Sequence, residues 1–247
     1  VDTWVSGTFA IAFWTVNHLW HLGKYNLGLS SCLGGTGMCI SADIVREFGW
    51  GCDCLTEDME FSMKCLSHGI RTCWVHDAII YDEKPLTFMA SWRQRKRWAQ
   101  GQFDCSERYI PILMKEGFKR HSIVVLDGIM QLLQNYFLLI SAFYLVMTYI
   151  NMFYPCFTVV LYNDALVPRQ FWSVLGTIQY VLPLIVLLQI EVPAKIYLYW
   201  LIYPVFMYSW VPVTFLGWIH RHENNGFILF IREACSFRLL LLHVKRK

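Results

Sequence analysis

Apolar side chains are distributed along the chain in two regimes. Between residues 1 and 122 charge interrupts them every few positions, with 13 Lys/Arg and 13 Asp/Glu in that stretch. Between 128 and 220 charge almost disappears, leaving only Asp164, Arg169, Glu191 and Lys195. Uncharged runs cover 128–163, 170–190 and 196–219. Each is long enough to cross a hydrocarbon core of about 30 Å at about 1.5 Å per helical residue. Pro155 interrupts the first run, which reads as one long span with an interfacial turn or as a tight hairpin. Three to four transmembrane helices are therefore expected over 123–220.

The first half is patterned for shorter elements. Trp4 to Leu22 is apolar and aromatic but broken by Asn17, His18 and His21, which predicts a buried or interfacial helix rather than a span. Ser41 caps a helix from Ala42 to Phe48 that Gly49 and Gly51 end. A second helix follows Thr56, an N-cap candidate, with Glu57, Asp58 and Glu60 in its first turn and Gly69 as its stop. Thr87 opens a third, with Phe88, Trp92, Ala99 and Phe103 near one face and Arg93, Arg95, Lys96 and Arg97 bunched on the others. Met38 to Ile40, Arg71 to Val75 and Ala78 to Tyr81 read as short strands, the last two flanking a His76-Asp77 pair that reads as structural.

Composition sharpens this division. The chain is 56% hydrophobic and 17% aromatic against 16% charged, too apolar for an ordinary soluble domain. Collagen-like, disordered and disulfide-stapled classes are excluded. A net charge of +3 gives too little phosphate attraction for a dedicated nucleic-acid binder, whereas a slight basic excess suits a lipid bilayer surface. The nine cysteines include no C-x-x-C pair, so they read as reduced core thiols in a reducing compartment. Residues 93–120 carry eight basic against three acidic side chains, and 221–247 six against two, which places both ends in the cytosol and favours an even number of spans. The expected arrangement is multi-pass, with the first half cytosolic. No signal peptide is visible, and a chain starting at Val1 reads as a fragment.

Three groups of residues carry candidate chemistry. The glycine-rich stretch Leu33 to Ile40, which includes Gly35 and Thr36, is either a tight turn entering a strand or a loop that lets backbone approach a ligand. It is not a phosphate loop, because no Gly-Lys-Ser/Thr ends it. The carboxylates at Glu57, Asp58 and Glu60 are either ordinary decoration of a helix N-terminus or the place of a general base meeting a substrate hydroxyl. A helix dipole there would lower the Asp58 pKa and keep it ionised. In the basic helix, Gln94 lies one turn before Arg97 and Trp98, so an amide, a guanidinium fork and a large ring can converge. The fork suits a diphosphate and the ring a sugar; the same helix could instead lie on anionic headgroups.

Thr56-Glu57-Asp58 followed by Gln94-Arg95-Lys96-Arg97-Trp98 resembles the T-E-D and Q-x-x-R-W motifs of the membrane-integrated family 2 glycosyltransferases, the group of cellulose, hyaluronan and chitin-oligosaccharide synthases. Leu33 to Ser41 is similar to that family's Gly-Thr/Ser acceptor-side strand. The resemblance implies an α/β fold joined to membrane α-helices. Residues 1–85 would be a partial GT-A catalytic domain, 86–122 amphipathic interface helices, 123–220 the transmembrane helices and 221–247 a basic cytosolic tail. It implies transfer from a nucleotide-sugar donor, usually UDP-linked, to a growing β-linked polysaccharide that is passed across the membrane. A single addition to a lipid-linked acceptor and a non-enzymatic membrane scaffold are the alternatives.

By the same resemblance Asp58 would be the catalytic base, with Thr56 and Glu57 supporting it. Gln94, Arg95 and Arg97 would hold the donor diphosphate. Trp98, Gly35 and Thr36 would meet the saccharide or lipid-linked acceptor. A divalent metal, Mg or Mn, is implied, but its D-x-D is absent from this sequence and is expected upstream; on that expectation these residues alone would be inactive. The family's F-x-V-T-x-K gating sequence is also absent.

Overall fold

The computed structural model describes residues 1–154 and 169–223. Pro155 and most of the expected 221–247 tail lie outside the described residues. Threonine 3 starts the first helix through a capping box: its hydroxyl accepts the Ser6 N–H at 3.2 Å, and the Ser6 hydroxyl accepts the Thr3 N–H at 3.1 Å. Helix α1 (Trp4–Thr15) runs through a π-helical turn (Val16–His21) into α2 (Leu22–Asn26). Ser41 and Gly49 bound α3 (Ala42–Phe48), and Gly69, at φ 82°, ends the turn after α4 (Glu57–Ser67). The Thr87 hydroxyl accepts the Ala90 N–H at the start of α5 (Phe88–Arg120). Then come α6 (Ile123–Phe153), α7 (Arg169–Gln189), α8 (Lys195–Tyr208) and α9 (Trp210–Ile219).

Helix α5 is the hub. It packs on α4, α6 and α9, while α1 packs on α7 and α8. One apolar core joins α4, α5 and α6 through Met63, Leu66, Cys105, Leu113, Val125 and Leu132. A second joins α1, α7 and α8 through Ile11, Leu187, Ile196 and Tyr203. Glycines set the closest approaches. A Cβ on Gly217 of α9 would lie 2.5 Å from the Ala99 Cβ of α5, and one on Gly128 of α6 would lie 2.3 Å from a Leu66 methyl of α4.

One expectation changes here. No strand forms among the described residues: the non-helical segments 28–40 and 71–81 lie side by side, but a single backbone hydrogen bond, Ser31 N–H to the Thr72 carbonyl, joins them. The β-branched residues favour extension locally, whereas a strand also needs a ladder of partners. The spans are supported in part. Ile123–Met147 and Lys195–Ile219 are long and apolar enough to cross a membrane, two among the described residues where three to four were expected over 123–220, and residues 155–168 of that range lie outside the described residues. Val174–Gln189, within α7, is a shorter apolar stretch. On α6 the polar side chains Asp127, Gln131 and Asn135 fall in the first turns at one-turn spacing, and Lys24 of α2 pairs with Asp127 at 2.8 Å and donates to Gln131 at 2.8 Å.

Substituting Gly217 with Val is expected to destabilise the protein by about 1–3 kcal/mol, because α9 cannot keep its distance from Ala99. Gly176→Ala on α7, where an added Cβ meets nothing, should be neutral or stabilising by up to about 1 kcal/mol. Thermal unfolding of the two variants in detergent should separate them; equal midpoints would contradict the close α5–α9 packing.

Candidate active site

Two extended segments carry the glycine loop to the mouth of α4. Arg71 donates to the Gly28 carbonyl at 2.6 Å, Ser31 N–H donates to the Thr72 carbonyl at 3.0 Å, and the Ile80 side chain abuts Gly37. These contacts advance along both segments together, so the two run parallel. Gly37, at φ 71°, is closed to any side chain, since a Cβ there would meet Ile80 at 1.8 Å. The buried hydroxyl of Ser62 then staples the loop to α4: it accepts the Leu33 N–H at 2.8 Å and donates to the Asp58 carbonyl at 2.7 Å.

This staple lays Gly35 over Asp58. The Gly35 backbone hydrogen-bonds to the carboxylate, a Cβ at Gly35 would stand 3.5 Å from Asp58 Oδ2, and Met59 N–H donates to Oδ1 at 2.7 Å. Burial raises the Asp58 pKa above its ordinary 3.8; the charge of Glu57 adds to the rise, while the Met59 and Gly35 N–H groups oppose it. The helix-dipole expectation had the opposite sign. It counted the oriented N–H groups and missed the water that the glycine loop and α4 displace. Glu57 is exposed, and so are Gly35 and Thr36. Glu60 is buried and holds the preceding loop, its Oε2 accepting the N–H groups of Asp53 and Cys54 at 2.7 Å each.

Thr56 occupies the N-cap position of α4, yet its hydroxyl makes no capping bond. The residue instead presses on α5, where a Cβ on Gly101 would lie 2.7 Å from both Thr56 N and Thr56 Oγ1. Gln94, Arg97 and Trp98 lie one to two turns before Gly101 on the same side of the helix, roughly 5–10 Å along its axis. Arg97 is exposed. The Gln94 Oε1 is buried and has no hydrogen-bond partner among the described residues. Trp98 is half-buried in an aromatic wall, edge-on to Phe9 at 6.2 Å and to Phe13 at 6.3 Å, and stacked on Trp210 at 6.4 Å.

Arg95 does not join this face. One residue along from Gln94 turns it about 100° around the helix, into the contact with α8 and α9. It is 0% exposed, donating to the Ser91 hydroxyl at 3.1 Å and the Ser209 hydroxyl at 2.7 Å. Burial lowers its pKa to about 10. The bunching of Arg93, Arg95, Lys96 and Arg97 in sequence concealed this inward turn. Gly101 and Ser62 were also missed. For Gly101 there was a signal, because glycine within a helix costs about 1 kcal/mol relative to alanine and so marks close packing. Among the described residues no three His, Cys, Asp or Glu side chains converge on a metal position, so the residues present do not provide a ligand set.

Residues 2–214 match the family model described as Glycosyl transferase family group 2. A similar curated protein, the probable glycosyltransferase YdaM of Bacillus subtilis (strain 168), is 30% identical over 80 residues, which are 32% of this chain and 19% of that protein. The chain thus aligns with about a fifth of that relative's length. No solved structure matches it.

The folded protein holds the Asp58 proton more tightly than the unfolded chain does. Ionisation therefore lowers stability above the raised pKa, and the loss fades as pH falls through that value toward 3.8. Asp58→Asn is expected to raise the thermal midpoint at neutral pH, with the gain vanishing below about pH 4. Melting curves across this range check it; no gain at neutral pH would contradict a half-buried carboxylate with a raised pKa.

Proposed function

The chain belongs to glycosyl transferase family group 2 and is a glycosyltransferase, and from that premise we propose that it moves a sugar from a UDP-linked donor to the hydroxyl of a growing β-linked polysaccharide, inverting the donor's anomeric carbon. The observation that carries this reading is the contact of Thr56 with Gly101, which sets the T-E-D turn against the side of α5 that bears Gln94, Arg97 and Trp98.

In the proposed step the acceptor hydroxyl lies between Asp58 and the exposed Gly35-Thr36 edge, its sugar ring resting on Trp98. Asp58 takes the hydroxyl proton as the oxygen bonds to the anomeric carbon. The bond from that carbon to the diphosphate breaks, and its electron pair leaves on the nucleoside diphosphate. Gln94 and Arg97 face the charge that develops there. A carboxylate with a raised pKa is a stronger base than an ordinary Asp and remains ionised above that pKa, as this step requires. A divalent metal, Mg or Mn, generally serves this family; the described residues provide no ligand set for it, and no step above runs through it.

We place the protein in the inner (plasma) membrane with its catalytic part cytosolic, and assign Ile123–Met147 and Lys195–Ile219 as spans beside the path of the product. The second reading is a single addition to a lipid-linked acceptor.

The test is to give the full-length protein, in membrane vesicles, a panel of nucleotide sugars and to measure both turnover and product length. A ladder of long chains supports polymer extension, and a single added sugar supports the second reading. Asp58→Asn should lower turnover by about 10²–10⁴-fold while leaving donor affinity largely intact; retained turnover would remove Asp58 as the base. Glu57→Gln removes a charge that helps raise Asp58, so the acid limb of the pH–rate profile should move to lower pH. An unmoved limb would mean that another group titrates there.

A further inference from the structure

On the side of α5 turned away from the proposed donor face, a guanidinium is sealed from water with no anion beside it among the described residues. The other buried cation among the described residues has a partner: Lys24 meets Asp127 at 2.8 Å. Arg95 has only hydroxyls, Nε on Ser91 and Nη1 on Ser209, and its Nη2 finds no hydrogen-bond partner among the described residues. Its remaining contacts are aromatic, with the guanidinium 4.5 Å from the Phe206 ring centroid, 5.2 Å from that of Trp210 and 5.7 Å from that of Phe88. A charge so placed is costly, and an apolar side chain would suit the rings as well. What arginine adds is a rigid fork whose two donors reach hydroxyls on different helices while its plane stacks between rings.

The segment it reaches is the junction of two helices. Ser209 stands between the end of α8 at Tyr208 and the start of α9 at Trp210, and it is fixed there by donating to the Phe206 carbonyl at 2.5 Å. The rings flanking Ser209 also touch the acceptor-side wall: Trp210 stacks on Trp98, and Phe206 lies 5.2 Å from Phe9, which meets Trp98 edge-on. Arg95 and Trp98 therefore share neighbours, and a shift at the α8–α9 junction reaches both.

We propose that Arg95 is a positioning residue that holds Gln94, Arg97 and Trp98 in register with the junction of α8 and α9, so that this face of α5 and the Lys195–Ile219 segment move as one unit. Its catalytic consequence rests on the reading of that face as the diphosphate and acceptor site; the mechanical coupling does not.

The experiment compares the full-length protein with Arg95→Met, Arg95→Lys and Ser209→Ala, the last a mild change that keeps the charge. Hydrogen exchange by mass spectrometry and donor kinetics are measured on each. Exchange should rise over 94–98 and over 205–210 together in all three. In the Arg95 variants kcat should fall about tenfold or more while the donor KM stays within about twofold, and Ser209→Ala should add nothing to Arg95→Met. Loosening confined to one helix would overturn the proposal. So would an unchanged kcat per folded molecule, or a raised KM with kcat kept, which would mean direct donor contact. If the wild-type protein transfers no sugar, the proposed function fails by itself. Paired loosening would then still uphold the coupling, and unpaired loosening would still overturn it.

Discussion

The site depends on the absence of one side chain. Gly101 lets the backbone nitrogen, hydroxyl and methyl of Thr56 come within 2.7–2.8 Å of where a Cβ would be. A single methyl group there would push the mouth of α4 away from α5, and Asp58 would move with it. Two residues earlier on α5, and about 200° around the helix, Ala99 receives Gly217 of α9 in the same manner. Helix α5 is thus gripped on opposite sides, with the donor-face residues one to two turns above the grip. The shared core of Leu66, Cys105 and Leu113 continues the α4–α5 contact below it.

Around this grip, charge is buried under three different conditions. Glu60 is satisfied by two backbone N–H groups and so becomes part of the scaffold. Asp58 receives N–H groups from Met59 and Gly35 as well, but burial still outweighs them, and its carboxylate is left readier to accept a proton. Arg95 has hydroxyls and rings in place of an anion. Residues held at such a cost are those expected at a working site, where stability is given up for function.

The helices were legible because their ends are marked. Ser41 and Gly49, Thr56 and Gly69, and Thr87 each announce a boundary through local backbone chemistry, and local chemistry is what a sequence displays. The strands were not, because extension is local but a ladder depends on a partner. The spans were legible in part: the uncharged run 170–190 does form a helix, Arg169–Gln189, but its apolar stretch is shorter, Val174–Gln189. For Asp58 the dipole could be read from position and the burial could not, because Gly35 arrives from a different segment. Arg95 shows the same limit, since its partner Ser209 is 114 residues away.

The central claim is that the Asp58 carboxylate and the Trp98 indole face one reaction space on either side of the Thr56–Gly101 contact. Cryo-electron microscopy of the full-length protein with a bound nucleoside diphosphate tests it most directly. The account predicts the diphosphate beside Gln94 and Arg97, with Asp58 and Trp98 lining the same cleft. A diphosphate bound elsewhere, or the two side chains facing away from each other across the body of the protein, would contradict it.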